Sequence, residues 1–550
     1  MISFPSFSAL VGRHGRLAGH LFLPLVLAGC ASFAGIGSQG RLQPAAGFDT
    51  ALSLPDQGGA WPDAQWASTF GGAPLQALID EALAGNPGLQ VAASRVAAAQ
   101  AAAKVTALAE APVWNLNATA TRQRYTENGI IPPPLAGETV TDGSLTLNFR
   151  YDFDFWGRNG AALRSALSQG KVAQAEQYNA RLVLSTAVAR GWLQLARNST
   201  QLDLVRQQLQ TRESLDRLTR QRVAAGLDSQ SETQASLQQA ATLRAEIAQW
   251  QEAIALNRNQ LAALLGAGPD RGLTIARPVL PAQAGAPLPP ALPLMLVGRR
   301  PDIVAARWRV EAAQGQIDYA KTQFYPNVDI MAFAGFSSLG LSNLIQSSSR
   351  TIGVGPAIRL PIFNSNTLRA QLQGQVSGFE GAVATYNQTL TDALRDVADQ
   401  VQSLRAATVQ ADNQQQATQA ATRSLALATD RRRVGTINQL QLLAAEGVLL
   451  TQRRIEFDAQ ARRLDLRIAL IKALGGGFEA RDLRLEIRES DAPASGTGTG
   501  TAPGATSGTG TGTGADGSVT RTVTTTTVTT NVTTTPTAPA GTTPSTKSAP

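Results

Sequence analysis

The sequence predicts a mainly α-helical protein with β-strands of membrane-crossing length, built as a duplicated helix-strand-strand-helix-helix repeat. Three observations predict this class. Residues 144–155 alternate between apolar and polar side chains, as a strand with one apolar face does. The next proline after this strand is Pro269, which leaves room for a helix of about 67 residues and roughly 100 Å. The same order of segments then recurs in the second half of the chain.

Residues 1–30 have the pattern of an export signal. Arg13 and Arg16 supply the positive charge, an apolar run follows at 21–27, and the segment ends in Leu-Ala-Gly-Cys at Cys30. This ending resembles the bacterial lipobox, in which cleavage leaves a cysteine that becomes lipidated, so Cys30 is the predicted lipidation site. The resemblance also implies the outer membrane, because residue 31 is alanine and not the aspartate of inner-membrane retention. An ordinary signal peptide with a chance cysteine is the alternative.

The composition argues against an enzyme. The chain has 48 basic and 40 acidic residues, and the excess is spread along predicted helices, so nucleic acid is not an expected partner. The two histidines, His14 and His20, and the single cysteine, Cys30, all lie in the predicted leader. The mature chain therefore lacks Ser/His/Asp and Cys/His triads and histidine-liganded metal sites, and no phosphate-binding loop is present. No catalytic residue, cofactor or metal is predicted.

The first half of the mature chain divides at its prolines and glycines. Residues 31–72 are rich in glycine and proline and are expected to form an extended segment along the body of the protein. The first repeat spans 73–268. Its predicted membrane strands are 113–125 and 144–155, and its predicted long helices are 159–225 and 229–265. The two helices meet at Gly226 as an αα-hairpin.

A proline-rich linker, residues 269–300, separates this repeat from a second one at 301–478. The predicted elements of the second repeat are strands 327–337 and 351–362 and helices 364–434 and 438–474. Residues 483–489 alternate between apolar and polar side chains, which predicts a short C-terminal strand at 479–490. Residues 491–550 are rich in glycine and threonine and lack aromatic residues, so they are expected to be disordered.

The two repeats match by position as well as by order. At an offset of 214, Pro301–Pro326 matches Pro87–Pro112, and Arg309-Val310 falls on Arg95-Val96. At an offset of 209, the glycines that end the hairpin helices match: Gly435 falls on Gly226 and Gly475 on Gly266. Glycine stops that match at both ends of a hairpin favour an internal duplication over two unrelated helical segments.

Four membrane-type strands cannot close a barrel within one chain. Open strand edges are not tolerated in lipid, and the smallest closed transmembrane barrels have about eight strands. Closure must therefore involve several chains. Three chains would supply 12 strands, and their helices would continue the barrel as an α-helical tube.

Several motifs resemble those of the TolC/OprM outer-membrane efflux family. Residues 151–158 (YDFDFWGR) are similar to its strand-to-helix signature, and 299–303 (RRPDI) with 324–326 (FYP) to the start of its second half. Residues 360–363 (LPIF) are similar to its second strand-to-helix junction. With the lipobox, the chain resembles the lipoprotein branch of this family. The resemblance covers roughly residues 60–478.

This resemblance implies a homotrimer, with a 12-stranded β-barrel in the outer membrane continuous with a long α-helical barrel across the periplasm. It implies a passive channel that receives small toxic compounds or drugs from a periplasmic adaptor and an inner-membrane pump of the RND type. The lipid-anchored protein would lie in the cell outer membrane and extend into the periplasm. The alternatives are a channel for type I protein secretion and a non-conducting, periplasm-spanning lipoprotein tether.

The resemblance also suggests the functional residues. The candidates for the periplasmic tip and gate are Gly226, Asp228, Arg431, Arg432, Gly435, Thr436, Gln441 and Ala444. The strand-to-helix junctions are Trp156, Gly157, Arg158, Pro361 and Phe363. Gln441 and Ala444 fall where family members often carry aperture aspartates, and Ile437 and Arg432 replace the residues that lock some members shut. Residues 431–433, all arginine, either make the tip basic or are ordinary solvated charges at a helix C-terminus.

Overall fold

The helices and strands alternate twice in the same order along the chain. The computed structural model describes residues 32–54, 59–280 and 292–483. Its first half contains α1 (Ser68–Gly85), α2 (Pro87–Ala107), β1 (Val113–Arg124), β2 (Thr139–Phe153), α3 (Arg158–Ala224) and α4 (Gln230–Leu264). Its second half contains α5 (Pro269–Leu273), α6 (Leu292–Arg299), α7 (Pro301–Thr322), β3 (Asn327–Leu339), β4 (Arg350–Arg359), α8 (Ser365–Arg433) and α9 (Gln439–Ala473).

The long helices α3 and α8 contain 67 and 69 residues and no proline. Each ends at a glycine in the left-handed region, Gly226 with φ of 71° and Gly435 with φ of 80°. Glycine has no Cβ and adopts this conformation at little cost, which is why it commonly terminates helices. The chain then reverses, and α4 and α9 pack against the helices that precede them.

In the described part of the chain, the four strands form one antiparallel sheet in the order β1-β2-β3-β4. Leu116 pairs with Leu147, Leu147 with Ala334, and Ala334 with Ile352. Because side chains alternate between the two sides of a strand, this register gathers the apolar positions of all four strands on one face. Leu116 is 69% exposed and Ile352 is 78% exposed, so the chain itself does not cover that face.

The core contains two large clusters of buried side chains, and the first of them also includes Leu464 and Ile468 of α9. One cluster of buried side chains joins α1 to α3 and includes Leu75, Ile79 and Trp192. The other joins α7 to α8 and includes Ile303 and Val397. Each cluster packs the short helix before the sheet onto the long helix after it, and this packing fixes where each long helix leaves the sheet.

Backbone contacts are also duplicated. A Cβ on Gly266 would lie 2.3 Å from the carbonyl oxygen of Gly85, and a Cβ on Gly475 would lie 1.9 Å from that of Arg299. These distances leave no room for any side chain at either glycine. The pairs are related by the two sequence offsets, 209 for the glycines and 214 for their partners. The end of each hairpin therefore approaches the preceding short helix in the same way.

The structure differs from the sequence predictions in three places. Strand β2 begins at Thr139, not at 144, because residues 139–143 continue the ladder with β1. The segment 269–300, predicted as a linker, contains α5 and α6, and Leu296 of α6 is fully buried in the second core cluster. Ala480–Asp482 is a 3₁₀ helix and not strand, because Glu479 and Asp482 form a reciprocal cap.

Some predicted segments lie outside the described residues: the leader 1–30 with Cys30, residues 484–490 of the predicted C-terminal strand, and the tail 491–550. The predicted extended segment 31–72 is described from residue 32 except for 55–58, and its last residues form the start of α1. Among the helices that the structure describes, none is long and apolar enough to cross a membrane.

Candidate functional site: the helical turns and the strand-to-helix junctions

The first helical turn is held by an ion pair across the glycine. The N–H of Gly226 donates to the carbonyl of Val223 at 3.0 Å, and the N–H of Leu227 donates to that of Arg222 at 2.8 Å. Arg222 also donates two hydrogen bonds to the Asp228 carboxylate, from Nε at 2.7 Å and from Nη2 at 3.1 Å. These bonds satisfy the last carbonyls of α3 and fix the direction in which the chain leaves the helix.

The same pair affects titration at the turn. Hydrogen bonds from Arg222 lower the pKa of the Asp228 carboxyl, and Asp228 in turn raises the pKa of Arg222. The two residues therefore remain charged across the physiological range and cancel each other's charge. Within the described residues, no group of His, Cys, Asp or Glu side chains has the arrangement of a metal site.

The second turn is held by neutral groups. The N–H and the hydroxyl of Thr436 both donate to the carbonyl of Arg431, at 2.9 and 3.0 Å. Arg432 donates to the amide oxygen of Gln439 at 3.2 Å, and Arg433 lies 3.6 Å from Asp430. Residues 431–436 are all exposed. The sequence candidates at this turn thus lie together, but their side chains make few bonds to one another.

Gln441 and Ala444, the candidates that follow the second turn, have different surroundings. Gln441 forms a capping box with Asn438: its N–H donates to Asn438 Oδ1 at 3.0 Å, and its Oε1 accepts from the Asn438 N–H at 3.2 Å. The spacing Asn-x-x-Gln was the sequence signal for this cap. Ala444 lines a cavity of about 690 Å³ between α3, α4 and α9, together with Arg212 and Gln239.

At the first strand-to-helix junction, Trp156 connects the two repeats. Its indole N–H donates to the carbonyl of Pro326 at 2.8 Å, and its ring stacks on Tyr325 at 4.6 Å between centroids. Gly157 has φ of 70°, and Arg158 pairs with Asp152. The junction after β2 is therefore attached to the start of β3.

Asp154 caps the helix that follows. Its Oδ2 accepts from the backbone N–H groups of Asn159 and Gly160 at 3.0 and 3.1 Å. These groups have no partners inside α3, and a carboxylate at a helix N-terminus also interacts favourably with the helix dipole. In the alternation of residues 144–155, Asp154 falls at a polar position of the predicted strand, and that pattern gives no sign of this cap.

The second junction meets the first around a hollow of about 230 Å³ lined by Trp156, Arg158 and Pro361. Four of the five junction residues therefore lie close together, since Gly157 joins Trp156 to Arg158. Phe363 is separate, with its side chain 95% exposed.

A polar ladder between α3 and α9 was not found from the sequence. Arg454 donates to Gln201 at 3.1 Å and to Gln208 at 2.9 Å on α3, and pairs with Glu246 on α4. Further along α9, Asp458 accepts from Arg197 at 2.8 Å and Asp465 from Arg190 at 2.6 Å. The recurring seven-residue spacing was a possible signal, but charged residues with this spacing are common on solvated helices.

The segment that follows Cys30 lies against α8 and the junction. Arg369 donates to the carbonyl of Ser32 at 2.6 Å. The ring of Phe33 contacts those of Phe324 and Tyr325 edge-on, with centroids 5.5 and 6.4 Å apart. Tyr325 also stacks on Trp156. The start of the described chain is therefore held at the strand-to-helix junctions, which we call the foot of the sheet.

Comparison with known proteins agrees with this architecture. The family model described as outer membrane efflux protein matches residues 78–267 and 292–476, one match in each half. The fusaric acid resistance protein FusA of Burkholderia cepacia is 36% identical over 363 residues, which are 65% of this chain and 68% of that protein. The multidrug resistance outer membrane protein MdtQ of Escherichia coli O157:H7 is 32% identical over 469 residues, 83% of this chain and 97% of that protein.

Solved structures of outer-membrane proteins have the same fold. The crystal structure of VceC from Vibrio cholerae is 39% identical, with a TM-score of 0.69, and the match covers 76% of this chain and 100% of VceC. The outer-membrane channel OprN is 26% identical, with a TM-score of 0.71, over 81% of this chain and 99% of OprN. The chain therefore belongs to the outer membrane efflux protein family, and it is an efflux channel of the outer membrane and not an enzyme.

Proposed function

We propose that three copies of this chain form a 12-stranded barrel in the outer membrane, continued by a barrel of their long helices. One observation carries the proposal. The described sheet has β1 and β4 at its edges, and the apolar face across its strands is exposed. Unpaired edges and an uncovered apolar face are both unfavourable in a monomer. Pairing of β1 with β4 of the next copy would satisfy the edges, and the lipid of the bilayer would cover the apolar face.

The channel would be passive and would act with two partners. The sequence contains no phosphate-binding loop, so the energy for transport would come from an inner-membrane pump of the RND type through a periplasmic adaptor. The turns at Gly226 and Gly435 would form the periplasmic end. The tip candidates named above would then belong to the gate, and opening would be a population shift that adaptor contacts favour.

Small toxic compounds are the proposed cargo. Two relatives are named for resistance, one to fusaric acid and one to multiple drugs, which supports this cargo over secreted proteins. The non-conducting tether has less support, because it gives no reason for an exposed apolar sheet face.

A lipid anchor at Cys30 is the second part of the proposal. Cys30 lies outside the described residues, but Ser32 and Phe33 are fixed beside the foot of the sheet. An acyl chain on Cys30 would therefore start near the expected membrane surface. We expect wild-type protein to incorporate labelled palmitate and a Cys30→Ser variant not to; equal labelling of the two would contradict the anchor.

The membrane proposal is tested with neighbouring residues on opposite faces of β1. Leu116 lies on the apolar face and Asn117 on the other, and both are exposed. In a barrel, Leu116→Arg would place a charge in lipid at a cost of about 2–4 kcal/mol near the midplane, whereas Asn117→Arg would face the lumen. We expect the Leu116 variant alone to lose assembled protein from the outer-membrane fraction.

Native mass spectrometry and planar-bilayer conductance of the same preparation complete the test. The proposal expects a trimeric mass and discrete conductance steps, which would be low if the periplasmic end is closed at rest. A monomer, or a trimer without conductance even after the turns are mutated, would favour the tether. Equal behaviour of the Leu116 and Asn117 variants would contradict the assigned lipid face.

A further inference from the structure

The two helical turns carry different charge although their helices match. In residues 210–234, around Gly226, the chain has four basic and four acidic side chains. In the matched window 419–443, around Gly435, it has four basic side chains and one acidic side chain: Arg423, Arg431, Arg432, Arg433 and Asp430. The first turn is therefore neutral, and the second has a net charge of +3.

Local pairing increases this difference. In the first turn, Arg222 is bound to Asp228, and Arg220 lies 2.8 Å from Asp216. In the second turn, Asp430 lies 3.6 Å from Arg433, and Arg432 donates to the uncharged amide of Gln439. Both members of the pair between Arg433 and Asp430 are largely exposed, so solvent screens their interaction strongly. The positive charge of the second turn is not cancelled within the turn.

The helix dipole does not account for the three arginines. Cations are favoured at any helix C-terminus, and α3 and α8 end in the same way, with left-handed glycines and N–H groups on the last carbonyls. At the end of α3, Arg222 is the basic residue of the last turn, whereas α8 has Arg431, Arg432 and Arg433 there. Equivalent helix ends thus carry one basic residue in one repeat and three in the other.

We propose that Arg431, Arg432 and Arg433 form a basic ring at the periplasmic end of the channel that selects for anions, including organic compounds with a carboxylate. The inference rests on the proposed trimer, in which three copies of this turn would surround the inner aperture. With Asp430 counted, these arginines would bring two net positive charges per copy, and six in three copies, to one constriction. Guanidinium groups are weakly hydrated and bind carboxylates with two parallel hydrogen bonds, so such compounds could exchange water for arginine as they enter.

The expected size of the effect follows from electrostatics. Charges of one sign around a narrow opening create potentials of at least about 1 kT. A potential of 1 kT would enrich monovalent anions about 2.7-fold and deplete monovalent cations about 2.7-fold, which changes their permeability ratio about sevenfold. The Debye length falls from about 10 Å at 0.1 M salt to about 3 Å at 1 M, so the selectivity should weaken strongly between these concentrations.

The test is the reversal potential of the purified full-length trimer in a planar bilayer under a KCl gradient. Three proteins are compared: the wild type, the triple variant R431Q/R432Q/R433Q, and the charge-conserving variant R431K/R432K/R433K. Lysine retains the charge but loses the planar donor group, so the lysine variant separates electrostatic selection from hydrogen bonding. Native mass spectrometry shows whether each variant is still a trimer.

We expect the wild type and the lysine variant to prefer chloride, and the glutamine variant to lose at least fivefold in the chloride-to-potassium permeability ratio. Cation preference in the wild type would overturn the inference, as would an unchanged ratio in a trimeric, conducting glutamine variant. A wild type that forms no trimer or no pore would instead contradict the proposed function, so the two failures are distinguishable.

Discussion

Arg300 donates a 3.2 Å hydrogen bond from its Nη1 to the carbonyl oxygen of Ala473, at the end of α9. Asn86 makes the equivalent bond in the first repeat, 3.0 Å from its Nδ2 to the carbonyl of Leu264. Each donor precedes the proline that starts a helix and has an extended backbone, as residues before proline usually do. The extended conformation directs each side chain to the end of the adjacent hairpin, where a carbonyl lacks a helical partner.

The Arg300 bond should matter more than the Asn86 bond. Arg300 is buried and also pairs with Asp302 at 2.6 Å, so Arg300→Ala would leave both a carbonyl and a carboxylate without this partner. We expect the free energy of unfolding to fall by about 1–3 kcal/mol in Arg300→Ala. It should fall by about 1 kcal/mol in Asn86→Ala, which also removes a helix cap. Thermal unfolding of the detergent-solubilised protein measures both.

The exposed Arg95, on α2, provides the control. Arg95→Ala also removes an arginine, but one whose side chain is exposed. It should therefore change the free energy of unfolding by less than about 0.5 kcal/mol. If Arg300→Ala and Arg95→Ala lowered the melting temperature equally, the role assigned to the Arg300 bond would be wrong.

The turn glycines are required for their backbone conformation and not for space. No heavy atom lies within 4 Å of a Cβ built on Gly226 or Gly435, but both have positive φ. Alanine at either position should therefore cost about 1–2 kcal/mol and loosen the turn, which we expect to see as more frequent openings in single-channel recordings. Gly447 in α9 also has open space around it but ordinary helical φ, so Gly447→Ala should be neutral or slightly stabilising. Identical traces from all three variants would contradict this.

The ends of the long helices were predictable because local chemistry sets them. Proline is absent from α3 and α8, and each ends at a glycine whose positive φ few other residues tolerate. The duplicated contacts at Gly266 and Gly475 follow the same two offsets that the sequence shows. The pairing of β2 beyond residue 144 was not predictable, because Asp142 and Gly143 have low strand propensity and only the ladder with β1 holds them.

Tertiary packing decided the features that the sequence analysis missed. Helix α6 falls in a proline-rich segment and is stabilised by the burial of Leu296, which no local pattern indicated. At the site, Arg454 reaches groups on α3 and α4 that are more than 200 residues away in sequence. Trp156 and Tyr325 were each recognised in motifs, but their stacking depends on how the two repeats pack.

Removing the indole N–H of Trp156 tests how strongly the first strand-to-helix junction is attached to the start of β3. Trp156→Phe keeps an aromatic ring to stack on Tyr325 but loses the 2.8 Å bond to the carbonyl of Pro326. We expect Trp156→Phe to lower the free energy of unfolding by about 1 kcal/mol, because one hydrogen bond is lost. Trp156→Ala should lower it further, because the stacked ring is also removed. The melting temperature of the detergent-solubilised protein measures this; equal temperatures for the two variants would show that stacking contributes nothing.

The polar ladder should couple the two hairpins. Arg454 on α9 is paired with Glu246 on α4, and both are mostly buried. A double-mutant cycle with Arg454→Met and Glu246→Gln should give a coupling energy of about 0.5–3 kcal/mol, because each single change leaves the other partner without its charge. Additive effects would mean that the pair is formed but does not hold the helices together. The exposed pair of Arg395 and Asp392 is the control and should show much weaker coupling, because solvent screens it.

Acid should loosen the first turn through Asp228. Because Arg222 lowers its pKa in the folded protein, its stabilisation is fully present above the unfolded pKa of about 3.9. It is lost as the pH falls below that value and through the folded pKa. Hydrogen exchange of the segment around Gly226, compared between pH 6 and pH 3 after correction for intrinsic rates, should show less protection at pH 3 in the wild type.

An Asp228→Asn variant isolates this carboxylate from the other acidic groups of the turn. The amide does not titrate and cannot form the charged pair with Arg222, so the variant should have the low protection at both pH values. Wild-type protection that stays constant from pH 6 to pH 3 would show that the glycine turn alone holds the segment. The second turn is held by the uncharged groups of Thr436. It should not share this acid response, so hydrogen exchange as a function of pH should distinguish the two turns.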